Sequence, residues 1–165
     1  MHWTLTINDR ATGWLTEAFH YHWRLCLLHT CARHDLLCPV YVLMPDHIHL
    51  IGLGFRDNSD QRGAIKFIRK NLRPALLPAT WQKQAHDHVI GPKGCQREAL
   101  IWTANYIFEN PVRAGLVPIG INYPYLGCCL PGYPEMDVRA PDYWDRFWRI
   151  HNYLLNAQTT RWRSS

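Results

Sequence analysis

Two histidines, His47 and His49, stand one residue apart in PDHIHL (45–50), inside an apolar run. Residues 41–44 on one side and 50–53 on the other are rich in strand formers, so the segment reads as two strands turning at Pro45-Asp46. Side chains two apart on a strand share a face, and both imidazoles therefore project side by side. Neutral imidazoles so placed can hold a divalent cation and leave positions open for phosphate oxygens. The plain alternative is a pair of core histidines satisfied by hydrogen bonds. A second pair, His86 and His88 in AHDHV, offers either further metal or phosphate ligands or, through Asp87 and His88, hydrogen bonding inside the domain. The latter is favoured, because their strand is expected at an edge away from His47.

A second candidate group lies in ANYIFENPVRAGLV (104–117), which carries Tyr106 and Asn110. A spacing of four puts them one turn apart on one helix face. A phenol of pKa about 10 is a poor nucleophile at neutral pH, so it needs a metal or base to offset deprotonation. Taken alone, Tyr106 reads as a core tyrosine. Because a residue before proline is pushed out of the helical region, the helix from about Gln96 should stop at Glu109. NPVRAG then forms a turn of its own, with Asn110 as N-cap, Pro111 first and Gly115 at its close.

Basic residues form the third group. In QRGAIKFIRKNLR, Arg62, Lys66, Arg69, Lys70 and Arg73 fall within a roughly 100° arc of one helix, beside an apolar stripe of Ile65, Ile68 and Leu72. Such a face is either solvated or a ridge for phosphates, and no acidic residue is interleaved to pair with it. Arg113, Arg161 and Arg163 are weaker phosphate candidates.

These side chains have to be held by a small set of elements. A strand over 2–7 is followed by a helix from Trp14 to about His34, with Leu15, Ala18, His22, Leu25 and Leu28 at helical spacing. After the two strands around PDHIHL come a polar loop at 56–59, the basic helix from about Asp60 to Leu77, a short strand ending near Ile90, a turn at GPKG and the Tyr106 helix. This order fits an α+β, ferredoxin-like βαββαβ sandwich: an antiparallel sheet with helices on one face and the first and third strands central. Residues 118–165 add a Pro- and Gly-rich irregular wrap and an aromatic helix, YWDRFWRIHNYLL, before a fraying basic tail. The expected organisation is a catalytic core over 1–117 with 118–165 packed on it, one domain overall.

Bulk properties agree with a globular chain. The 165 residues suffice for one core, Lys+Arg 18 against Asp+Glu 13 gives a net +5 that leans toward a polyanionic partner, and eight Trp with eight Tyr supply many flat rings. Six cysteines without C-x-x-C spacing suggest neither a zinc knuckle nor a redox pair. With no apolar signal core and no long apolar stretch, the chain is expected in the cytoplasm with reduced thiols and no membrane contact.

PDHIHL and ANYIFENPVRAGLV together resemble the single-tyrosine HUH transposases, most closely the REP-associated tyrosine transposases, and WQKQAHDHVI (81–90) is similar to a further region of that family. The resemblance runs from about residue 41 to 117. It implies His47 and His49 as ligands of Mg²⁺ or Mn²⁺, Asn110 as a third metal contact, and Tyr106 as the nucleophile. The implied reaction is nicking and joining of single-stranded DNA beside short hairpins through a 5′-phosphotyrosine, with the basic ridge and Arg113 on the DNA backbone. Some relatives act as dimers that share the tyrosine, so a homodimer or a monomer is expected. Two other functions compete: a catalytically silent hairpin-binding protein, and a metal-dependent phosphoesterase using the four histidines.

Overall fold

A computed structural model describes residues 1–90 and 96–161. Its elements are β1 (His2–Thr6), α1 (Glu17–Arg33), β2 (Leu36–Met44), β3 (His47–Ile51), β4 (Leu53–Gly54), α2 (Gln61–Leu76), β5 (His86–His88), α3 (Gln96–Arg113), β6 (Leu126–Cys129) and α4 (Tyr143–Arg161). The sheet runs β4-β2-β3-β1-β5, with β6 also on β2, and every pairing is antiparallel. β1 and β3 are central, as the βαββαβ order requires. The turn expected at GPKG and the tail beyond 161 lie outside the described residues.

Alternation along the strands divides the interior in two. Leu5, Tyr41, Leu43, Ile48 and Leu50 point to one face and meet α1 and α2, while Val40, Val42, Met44 and Ile51 point to the other and meet α3 and α4. The two core helices thus share one face, and α3 and α4 cover the opposite one. Both layers bury large rings, Trp23 in the first and Tyr143 and Phe147 in the second, and burying a side chain of this kind contributes roughly 1.5–3 kcal/mol.

α1 turns a different side inward from the one its spacing suggests. Phe19, Trp23, Cys26, Leu27 and Cys31 are buried, whereas Leu25 and Leu28 are 43% and 44% exposed. Polar and apolar residues are spread all round the helix, so its rings decide the face: Trp23 packs on Tyr41 at 5.7 Å between centroids. Thr16 caps it by accepting a hydrogen bond from Phe19 N. Asp60 caps α2 in the same way through Gly63 N.

The wrap is more regular than its prolines imply, because Leu126–Cys129 forms β6 along β2. Gly127 is needed there: a Cβ at this position would lie 2.8 Å from the Tyr41 hydroxyl, which His20 Nε2 holds at 3.0 Å. Tyr123 donates to the Leu43 carbonyl and Tyr143 to the Pro39 carbonyl, fastening the C-terminal segment to β2. The five described cysteines, Cys26, Cys31, Cys38, Cys128 and Cys129, are free thiols. Among the described residues no helix is long and apolar enough to cross a membrane.

Candidate active site

The β2–β3 turn at Pro45-Asp46 brings His47 opposite Thr6 and Met44, and His49 opposite Thr4 and Val42. Since cross-strand partners share a face, both imidazoles stand on the side that α3 covers, each half-buried. Their Nε2 atoms are 3.0 Å apart. Each ring is held by its other nitrogen. Asp46 Oδ1 lies 2.6 Å from His47 Nδ1, while His2 Nε2 and Thr4 Oγ1 each lie 3.0 Å from His49 Nδ1. Arg10 in turn donates to Asp46 Oδ2 at 2.8 Å. Its neighbour Asp9 and Arg10 itself both take a left-handed backbone, at φ 54° and 53°, a strained arrangement for such residues.

This arrangement suits a cation. Two nitrogens bound at about 2.1 Å and at right angles stand about 3.0 Å apart, and ligating histidines characteristically have the second ring nitrogen fixed by a carboxylate or hydroxyl. Burial is the main reason that the pKa of His49 falls to about 3 and that of His2 to about 4, with the neighbouring histidines adding to it. His49 is therefore neutral and keeps a lone pair at any ordinary pH.

The same shifts bear on stability. A histidine with a depressed folded pKa binds fewer protons than its unfolded counterpart below pH 6.5, so its contribution is complete above that pH and lost as pH falls toward the folded value. His20, lowered by burial and then by Arg24, acts in the same sense. The urea midpoint should drop between pH 7 and pH 4.5; a midpoint that stays flat or rises would contradict these environments.

Asn110 is not an N-cap. α3 continues through Asn110-Pro111 to Arg113, and the Asn110 carbonyl accepts from Ala114 N at 2.9 Å at the helix end. Proline's missing N–H removes one helical bond, but the next turn closes around it. The Asn110 side chain is thereby released from capping, and its amide nitrogen is buried without a hydrogen-bond partner among the described residues. The two ends of a carboxamide exchange by a half-turn, so this orphaned position can equally present oxygen.

Tyr106 projects from the α3 face that carries Trp102 and Arg113. Its ring is half-buried against the second core, stacks on Trp102 at 6.2 Å and 18°, and lies 4.6 Å from the Arg113 guanidinium. Among the described residues its hydroxyl has no hydrogen-bond partner. α3 crosses β2 and reaches β3, which puts Tyr106 on the same side of the sheet as the histidine pair. Among the described residues, no group of three His, Cys, Asp or Glu side chains is placed to hold a metal. Asp46 is committed to His47 and Arg10.

His86, Asp87 and His88 are all exposed, and among the described residues Asp87 and His88 do not make the side-chain hydrogen bonds expected of them. β5 is too short and too near the edge to bury them. His88 pairs with His2 across the strands and His86 with Thr4, which extends the imidazole row outward from His49.

The basic ridge is divided. Arg62, Lys66, Lys70 and Arg73 are exposed and, among the described residues, unpaired with any carboxylate, but Arg69 is half-buried and donates to the carbonyls of Gln82 and Lys83. It pins the loop that sets Trp81. Lys66, Arg69, Lys70, Arg73, Thr80 and Trp81 line one open groove. α2 lies on the face opposite the histidines, yet the groove reaches the same end of the sheet: Ile7 bridges Trp81, Asn8 N donates to the Thr80 carbonyl, and Ile7 N donates to the Asp46 carbonyl.

No family model matches the chain. A curated protein of Haemophilus influenzae named as a REP-associated tyrosine transposase is 25% identical over 138 residues, covering 74% of this chain and 75% of that protein. A solved structure of a REP-associated tyrosine transposase bound to a REP hairpin matches with a TM-score of 0.64 at 21% identity, over 76% of this chain and 73% of that one. The structural match bears on the fold, and the sequence match agrees with the family that the two motifs resemble.

Proposed function

We propose, from the premise that this chain belongs with the REP-associated tyrosine transposases, that it nicks and rejoins single-stranded DNA beside hairpins, with Tyr106 as nucleophile. One observation carries this reading: two imidazole Nε2 atoms 3.0 Å apart, each ring anchored from behind, on the sheet face that α3 covers with Tyr106. His47, His49 and the Asn110 amide would hold Mg²⁺ or Mn²⁺. When bound, the ion polarises the phosphoryl oxygen and eases phenol ionisation.

The chain's own groups do the rest. The Tyr106 oxygen attacks phosphorus as its proton passes to solvent, an O–P bond forms, and the P–O3′ bond breaks to leave a 3′-oxygen that takes up a proton and becomes a hydroxyl. The 5′-phosphotyrosine keeps the energy of the broken bond, so a 3′-hydroxyl can later reverse the step without ATP. Lys66, Lys70, Arg73 and Arg62 serve as backbone contacts that position DNA without reading its sequence, and Arg113 neutralises phosphate beside Tyr106. Arg69 acts indirectly by holding the Gln82-Lys83 loop.

The test is a single-stranded hairpin oligonucleotide labelled at either end and incubated with protein and Mn²⁺. The 3′ label should travel with the protein through denaturing electrophoresis while the 5′-labelled fragment leaves with a free 3′-hydroxyl, and a chelator should abolish both. Binding without cleavage under any metal would indicate a hairpin-binding protein instead. Free 5′-phosphate with no protein attached would indicate hydrolysis.

A further inference from the structure

Trp102 is 71% exposed on the helix that carries Tyr106, while that helix buries Leu100, Ala104 and Ile107 on its other side. Water contact of this extent is unfavourable for the largest apolar side chain unless something covers it. Among the described residues the one aromatic ring it meets is that of Tyr106, nearly parallel at 18°. Arg113, seven residues beyond Tyr106, reaches back over the phenol ring. Trp102, Tyr106 and Arg113 therefore form one stripe along α3: a free π-face, a hydroxyl and a cation.

Such a stripe matches the repeating chemistry of an unpaired nucleotide, whose base stacks and whose phosphate is anionic. A duplex hides its base faces within the stack, so only a single strand can use the indole in this way. We propose that Trp102 is a stacking platform for an unpaired nucleobase flanking the phosphodiester that Tyr106 attacks. The inference rests on the reading of Tyr106 above and adds the feature that selects single-stranded substrate at the nick. The stacked base sits one helical turn from the phenol, about 5.4 Å along the axis, and its phosphate meets the Arg113 guanidinium beside the Tyr106 hydroxyl.

The test uses Tyr106→Phe protein, so that binding is measured without cleavage, and a fluorescent single-stranded hairpin oligonucleotide with a series of single abasic positions around the cleavage site. Adding Trp102→Ala should weaken binding roughly tenfold, within the range that one base–aromatic stack supplies. Trp102→Phe should retain most of the affinity. One abasic position should weaken the parent by the same factor and leave the Trp102→Ala protein unaffected. Equal affinity of parent and Trp102→Ala, or abasic penalties identical in both, would overturn the proposal. If the protein with Tyr106 intact still forms the covalent adduct under those results, only the stacking role falls. A Tyr106→Phe protein that binds no hairpin DNA, together with a Tyr106-intact protein that forms no adduct, would remove the stacking role and the functional reading together.

Discussion

Tyr106→Phe should form no covalent protein–DNA complex, a loss of about four to six orders of magnitude, the scale on which deleting a nucleophile acts. The change is unusually clean here. Among the described residues the hydroxyl has no hydrogen-bond partner, and the ring keeps its contacts with Trp102 and Arg113, so stability should stay within about 0.5 kcal/mol of the parent. Tyr143 is the natural control. Its hydroxyl is buried and donates to the Pro39 carbonyl, so Tyr143→Phe should lower the melting temperature and leave adduct formation at the parent level per folded molecule. An adduct of equal yield in the Tyr106→Phe protein would refute the assignment of the nucleophile.

The second large effect concerns the imidazoles. His49→Ala removes one of two nitrogen donors, and Mn²⁺ binding, followed by the disappearance of the free-ion paramagnetic signal, should become undetectable along with cleavage. His2→Ala should do less, because His2 touches only the far nitrogen of His49. Losing such a support weakens metal affinity by about 10- to 100-fold, and excess Mn²⁺ should restore cleavage. Equal Mn²⁺ affinity in the parent and the His49→Ala protein would show that the 3.0 Å pair is a hydrogen-bonded core contact with no role toward a cation.

How much of this was readable from the chain depends on the range of the forces involved. The facing of His47 and His49 needs only the two-residue period of a strand, and the central place of β3 follows from element order, so both were legible. So was the buried stripe of α2, because Ile65, Ile68 and Leu72 alternate with charged residues. α1 offered no such contrast, and its inward side was set by the fit of Trp23 against Tyr41 on another element. At Asn110-Pro111 a sound local rule pointed to a helix end, but packing of Ala104 and Ile107 on the sheet carried the helix through. LGCC has no strand signature of its own and becomes β6 only because β2 presents open carbonyls and amides beside it. The anchors behind the pair, His2 and Thr4, lie more than forty residues from His49 along the chain. The one signal pointing to them is the period-two pattern of HWTLT, which sets its polar side chains on one face.

The placement of β4 and β6 has a consequence for association. Together they lie along the outer side of β2, the longest and most apolar strand, and so occupy the backbone groups that would otherwise template the addition of a foreign strand. At the opposite border stands β5, three residues long and wholly exposed, with two imidazoles and a carboxylate. Among the described residues the strands at the two borders are only two to four residues long, too short a run for the sheets of two molecules to zip into one.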